Sequence, residues 1–494
     1  MTLRMPRWLP PLALLGLAAS CGEGGASRPR NVLLITMDTT RADHLGAYGQ
    51  VRFETPALDA LASEGVVFEQ CSSAAATTLS SHASLMTGAY PLRHGVVRNG
   101  FSVHPSNRTL AEALSDAGFR CAAFVASSAL VSATGMNQGF GVYDERLDLP
   151  ASPGGNDQAQ RRAGSVTDAV LAHVDEQEAA GAEGGLFLFA HYFDPHAPYG
   201  APGSGDVGGF GDIESAVGAQ QQRVLGEGPG QQAVIGGGLP AALAGPTGAV
   251  PSPADERLAA LYGAEVEYMD AEIGRLLAGL ASRGVLEETL VVITADHGET
   301  FWEQGNFWNH GLWVGETDVH VPLIVRGPGA ARGARVSTPV SGVDVAPTIL
   351  DAVGLAPGPG DDPGRGRSLL PALSGAEMPR RAVFSEATQP GPRLEGAEGL
   401  PWAGAAKPQA VRLGPWKLVK APYLGVRQLF DLASDPGERR DLLADPVLTP
   451  TSRDALEDLE RAHAVWVGAA APRPSAYDPD QAEALRSLGY GGDR

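Results

Sequence analysis

The chain has 494 residues, enough for one large domain with a smaller companion or for two or three ordinary domains. With 43% hydrophobic and 19% charged residues it has the make-up of a folded globular protein, not of a disordered one. A formal net charge of −20 leaves no extended basic groove, which argues against nucleic acid as a partner.

The first residues read MTLRMPRWLPPLALLGLAASC. Arg4 and Arg7 make a positive start, Trp8 to Leu17 is apolar but too short to span a bilayer, and Ala18, Ala19 and Ser20 precede Cys21. That order resembles a bacterial lipoprotein signal over residues 1–21. The resemblance implies export, cleavage ahead of Cys21 and membrane attachment through its acylated thiol; ordinary secretion with cleavage nearby is the alternative. Residues 22–30, rich in Gly and Ser, are expected to be a flexible tether. Only Cys71 and Cys121 remain, and a disulfide or two free thiols are equally compatible with the sequence.

From residue 31 onward, apolar runs of strand length alternate with helical patterns. NVLLITM (31–37), GLFLFAHYFD (185–194), TLVVITADHGE (289–299) and VPLIVRG (321–327) read as strands buried on both faces of a parallel sheet. Pro56 to Ser63 is a short amphipathic helix. Thr109, with Glu112 three residues on, makes a capping box for a helix ending near Ala117. Leu258 to Ser282 carries Met269, Ile273 and Leu277 on one helical stripe. This alternation predicts an α/β fold with helices on both faces of the sheet.

Residues 199–254 are rich in Gly and Pro and read as a long insertion, either covering a site or lying on the surface. Past about residue 375, AVFSE, QAVRLG, WKLV and VRQLFDL predict a small antiparallel sheet, with helical patterns at Ser452 to Val465 and Gln481 to Ser487. The expected division is a catalytic domain over 31–375 and a C-terminal subdomain over 376–494.

Residues able to do chemistry collect where the strands end. Asp38 follows the first run, Asp194 the second and Asp296-His297 the third. Ligands of open α/β sheets bind outside the carboxyl ends of strands. Alone, Asp38 reads equally as a helix cap. Asp296 and His297, ahead of a Gly that lets the backbone turn, suit half of a divalent-metal site. The segment TTLSSHASLMT (77–87) sets several hydroxyls before a helix expected to open near Ser81, so each is either a cap or a nucleophile.

Taken together, NVLLITMDTTRADHLGAYG, TPALDALASEGVVFEQ, TTLSSHASLMTGAYPLRHG and YMDAEIGRLLAGLASRGVLEETLVVITADHGE resemble the sulfatase family of the alkaline phosphatase superfamily. WKLVKAPYLGVRQLFDLASDPGERRDLLADP is similar to that family's closing subdomain, and LRSLGY to a common terminal element. The resemblance implies an alkaline-phosphatase-like sheet, mixed but mostly parallel. Family sulfatases carry C/S-x-P-S-R, whose first residue becomes formylglycine. The matching stretch is Thr78-Leu79-Ser80-Ser81-His82. Thr cannot become formylglycine, so none is expected. Thr78 itself would be the nucleophile, as in the superfamily's nucleotide pyrophosphatase/phosphodiesterase branch. The resemblance further implies one divalent ion (Zn, Mn, Mg or Ca) held by Asp38, Thr78, Asp296 and His297, with Thr39 in place of a second Asp. Asn99 would bind the sulfuryl or phosphoryl oxygens beside Thr39, His82 and His191, and His310 or His196 would protonate the leaving group.

The function expected from these residues is an exported, metal-dependent hydrolase of sulfuric or of phosphoric and phosphonic esters, its substrate a small molecule or a glycan or lipid ester. Two alternatives stand beside it: a binding protein with a decayed site, and a phospho-headgroup transferase.

Overall fold

The computed structural model describes residues 28–147, 160–197, 199, 253–301, 303, 310–311, 313–358, 361–387, 407–422 and 425–469. The signal, most of the tether, nearly all of the 199–254 insertion and the helix expected at Gln481 to Ser487 lie outside the described residues.

Fifteen strands are described: β1 (Asn31–Met37), β2 (Val66–Phe68), β3 (Cys71–Ser72), β4 (Arg120–Phe124), β5 (Val142–Asp144), β6 (Leu186–Tyr192), β7 (Thr289–Ala295), β8 (His320–Val321), β9 (Leu323–Arg326), β10 (Ala334–Val336), β11 (Val340–Ser341), β12 (Val383–Glu386), β13 (Gln409–Leu413), β14 (Trp416–Ala421) and β15 (Val426–Asp431). Eight form the main sheet, in the order β10-β2-β9-β7-β1-β6-β4-β5. The three apolar runs that end in acidic residues, β1, β6 and β7, are neighbours at its centre, and every residue in them is buried. Central strands of a covered sheet have no wet face, which is why their sequences do not alternate.

β9 departs from the expectation of a parallel strand. It runs antiparallel to both β7 and β2; among the described residues of the long connection 296–322 the only helix is the short Glu316–Val319, and no crossover helix carries the chain back across the sheet for a parallel return. The sheet is therefore mixed, though mostly parallel.

Two helix groups flank the sheet. In one, α1 (Pro56–Glu64) and α5 (Ala163–Ala179) pack on the long α6 (Pro253–Ser282). In the other, α2 (Thr78–Thr87) and α4 (Leu110–Asp116) pack together with the helix Val345–Ala352, and α3 (Pro91–His94) follows α2. The predicted capping box is present on α4, with Thr109 and Glu112 bonding each other's backbone N–H.

The C-terminal strands form the expected antiparallel sheet, β12-β13-β14-β15, closed by the helix Pro450–Gly468. This subdomain is tied back to the first at a sensitive place. Glu386 pairs with Ala75, three residues ahead of Thr78, and Ser385 Oγ donates to Ser73 O at 2.6 Å. Trp466 lies flat on Phe384 at 4.6 Å and edge-on to Tyr90 at 5.8 Å. Cys71 and Cys121 are both buried free thiols.

Candidate active site

The register of the central strands builds the site. Met37 of β1 lies opposite Ala295 of β7, so the next residues, Asp38 and Asp296, emerge side by side at the carboxyl edge. Both are 0% exposed. Asp296 Oδ1 accepts from the N–H groups of Thr39 (3.2 Å) and His297 (2.8 Å). Asp38 Oδ1 and Asp296 Oδ2 have no hydrogen-bond partner among the described residues. Burial pushes the Asp38 carboxyl up to about 7 against the pull of His297, and it also raises Asp296, helped by the neighbouring Asp38 charge.

His297 completes the group: ligand atoms from Asp38, Asp296 and His297 lie within 4.8 Å of one another. Its Nδ1 donates to Gly298 O at 2.9 Å, which fixes the tautomer and presents the Nε2 lone pair. Two buried carboxylate oxygens without a hydrogen-bond partner among the described residues, beside an acceptor nitrogen, fit a divalent cation, whose charge would offset theirs.

Thr78 opens α2 beside this group, its Oγ1 3.4 Å from His297 Nε2. The helix begins at Thr78, not near Ser81, so the serines are not its caps. Ser80 donates to Val96 O, and Ser81 donates to Asp296 O at 2.6 Å. Capping comes from outside the helix instead: Asn99 Oδ1 accepts from Leu79 N–H at 2.9 Å.

The residues assigned to a substrate pocket divide into two sets. Asn99 is half-buried at the mouth of α2. Thr39, His82 and His191 are 0% exposed and stand behind the acidic pair. His191 Nε2 donates to Asp38 Oδ2 at 3.2 Å while its Nδ1 accepts from Ala126 N–H. His82 spends both nitrogens on protein partners. As placed, these two rings support the site instead of facing a substrate. Burial lowers them to about 4 and about 3. Thr39 adopts φ 50°, rare for a β-branched residue, and Tyr262 Oη donates to its carbonyl at 2.9 Å.

His310 and His196 meet on the open side of His297. The His310 ring is 4.4 Å from that of His297 and 5.2 Å from that of His196. Burial lowers His310 to about 4 and His196 to about 3. Glu299, to which the sequence reading gave no role, faces them: its Oε2 lies 3.2 Å from His310 Nδ1, and burial raises it to about 7. The signal was present, since Glu299 closes the same Asp-His-Gly-Glu run. Arg41 Nη1 ties the loop down through Glu299 O at 3.1 Å and Glu303 Oε1 at 2.7 Å.

The family model described as Sulfatase matches residues 30–355. Choline-sulfatase of Rhizobium meliloti is 31% identical over 41% of this chain, and the match spans only 36% of that protein. Steryl-sulfatase of Mus musculus is 28% identical over 95% of this chain and 88% of its own length. Among solved structures, the phosphonate monoester hydrolase from Silicibacter pomeroyi superposes with a TM-score of 0.62 at 25% identity, covering 88% of this chain and 94% of that one. The chain belongs to the sulfatase family of the alkaline phosphatase superfamily.

Proposed function

We propose that this chain is an exported, cation-dependent ester hydrolase in which Thr78 is the nucleophile, acting on phosphodiester or phosphonate esters in preference to sulfate esters. The observation that carries this reading is the position of Thr78 Oγ1, at a helix N-terminus and 3.4 Å from His297 Nε2, beside two carboxylates with unpartnered oxygens. Asp38, Asp296 and His297 would hold one divalent cation. Such an ion, when bound, lowers the pKa of a nearby hydroxyl and offsets charge on ester oxygens.

The chain's own groups do the rest. Thr78 Oγ1 bonds to phosphorus or sulfur as the bond to the leaving oxygen breaks, and the hydroxyl proton leaves for solvent. The departing oxygen takes a proton relayed from solvent through His310 or His196, whose buried rings rest neutral. Asn99, held by its Oδ1 to Leu79 N–H, turns its amide donors to the anionic oxygens. Water then attacks the Thr78 ester and restores the hydroxyl.

Preference for phosphorus follows from the nucleophile. A formylglycine hydrate ejects sulfate by collapsing to the aldehyde, and a Thr ester has no such route. The likeness to a phosphonate monoester hydrolase supports the same preference, while the two sulfatase relatives keep sulfate esters in the test. Acylation of Cys21 would hold the enzyme on a membrane. No helix among the described residues is long and apolar enough to cross one.

The test is a side-by-side assay of aryl sulfate, aryl phosphate, bis-aryl phosphate and aryl phosphonate, with Zn, Mn, Mg or Ca added. Diester or phosphonate turnover that vanishes in Thr78→Ala is the expected result. Turnover that survives Thr78→Ala would remove Thr78 from the mechanism. No turnover and no bound ion would favour a binding protein.

A further inference from the structure

His82 lies one helical turn beyond Thr78 on α2 and is fully buried. Its Nδ1 sits 2.7 Å from Thr78 O. A carbonyl oxygen only accepts, so Nδ1 carries the proton. In the neutral ring Nε2 is then an acceptor, and it meets Thr36 Oγ1 at 2.9 Å. Thr36 is no loose anchor. It sits in the middle of the sheet, in register with His191 of β6 on one side and Thr294 of β7 on the other. The chain of contacts therefore runs from the carbonyl of the nucleophilic residue, through one imidazole, to the strand that Asp38 follows.

Nothing in helix formation asks for this arrangement. The backbone bond pattern of α2 satisfies Thr78 O without a side chain, and an apolar residue at position 82 would pack against Phe189, which lies 5.9 Å from the ring. A histidine buried there needs partners for both nitrogens, and the two it has fix where the first turn of α2 sits relative to β1. His82 Nδ1 is also 3.6 Å from Asp296 Oδ2, and its ring meets His191 edge-on at 5.0 Å.

We propose that His82 and Thr36 are positioning residues: a strut of fixed tautomer, Thr36 O–H to His82 Nε2 and His82 Nδ1–H to Thr78 O, that sets the Thr78 hydroxyl in line for attack. The catalytic half of this inference rests on Thr78 being the nucleophile, whereas the tautomer does not. A displacement of the hydroxyl by about 1 Å is enough to cost on the order of a hundredfold in rate.

The test uses the full chain and Thr36→Val, which keeps the shape of the side chain and removes its hydroxyl. With the aryl diester or phosphonate that the wild type turns over, kcat is expected to fall about 10- to 100-fold while KM stays within about twofold. The thermal shift on adding Mn should stay as in the wild type, and Thr36→Ser should recover most of the rate. His82→Asn, which keeps a donor at the Nδ1 position but loses the Thr36 bond, should match Thr36→Val and covers the case in which that variant does not fold. An unchanged kcat, a rise in KM alone, or a Thr36→Ser as slow as Thr36→Val overturns the proposal. Independently of turnover, ¹⁵N spectra of histidine-labelled wild type should show His82 protonated at Nδ1. Protonation at Nε2 instead would overturn the strut even in an active enzyme. If the wild type has no Thr78-dependent turnover, the functional reading fails while the spectrum still decides the strut.

Discussion

Replacing Tyr262 by Phe removes one oxygen atom and tests what holds the backbone behind Asp38. That oxygen donates to Thr39 O at 2.9 Å and accepts from Arg41 N–H at 3.1 Å, and Tyr262 is 0% exposed. Phe would leave a buried carbonyl and a buried N–H unpaired at about 1–3 kcal/mol each, so the expected loss is about 2–6 kcal/mol. The ring's own packing, edge-on to Phe301 at 5.0 Å and to Tyr199 at 5.8 Å, survives the change. Thr39 carries part of this energy, because its φ of 50° costs a residue with a branched Cβ about 1–2 kcal/mol. Thr39→Gly relieves that strain but gives the unfolded chain about 0.4–1 kcal/mol of extra freedom, so alone it should shift stability by less than about 1 kcal/mol. In the double variant the turn no longer needs the tyrosine, and the combined loss should fall short of the sum by about 1 kcal/mol. Urea denaturation of the four proteins, followed by tryptophan fluorescence, measures each term. A Tyr262→Phe loss under about 1 kcal/mol, or strict additivity of the two changes, would refute the claim that Tyr262 holds a strained turn.

Acid should weaken the fold through His94, which is fully buried and lowered to about 3 chiefly by burial. Between about pH 6.5 and pH 3 the unfolded chain binds a proton there that the folded chain refuses. Stability therefore falls as pH drops, by about 1.4 kcal/mol per pH unit for this ring, and His94→Gln should flatten the melting curve against pH by that amount. Divalent cations should raise the melting temperature, with about 2.7 kcal/mol gained at a hundredfold excess over Kd; Asp38→Asn should lose most of that shift, and a wild type indifferent to every cation would contradict the site. Gly298→Ala would set a Cβ against Thr317 O, closer than van der Waals contact allows, so the backbone carrying His297 must move. We expect a loss of about 1–3 kcal/mol together with the cation-induced shift, both read by calorimetry.

Legibility followed sequence distance. β1 and β7 could be bounded from their apolar runs alone, because strands buried on both faces leave an unbroken signature. β3, β8 and β11, two residues each, have no periodicity to read, and the apolar run of β9 carries no mark of its antiparallel sense. Asp38, Asp296 and His297 could be picked out because each follows such a run. The supporting layer could not. Tyr262 reaches Thr39 across 223 residues and Thr36 reaches His82 across 46, and neither partner carries a local pattern that announces the other. His82 and His191 could be found as candidates from their motifs, but which way a buried ring faces is settled by the packing around it.

Because β7 lies next to β1 in the sheet, the acidic pair joins parts of the chain made far apart in time. Thr39 and Asp296 are separated by 257 residues. At about 5–20 residues per second of synthesis, Asp38 waits roughly 10–50 s for its neighbour. During that interval the growing chain owns a single carboxylate where the finished protein has two, and so has no pocket able to retain a multivalent ion. The order of the strands would thus make capture of the proposed cation a late event, possible only once the central sheet has closed.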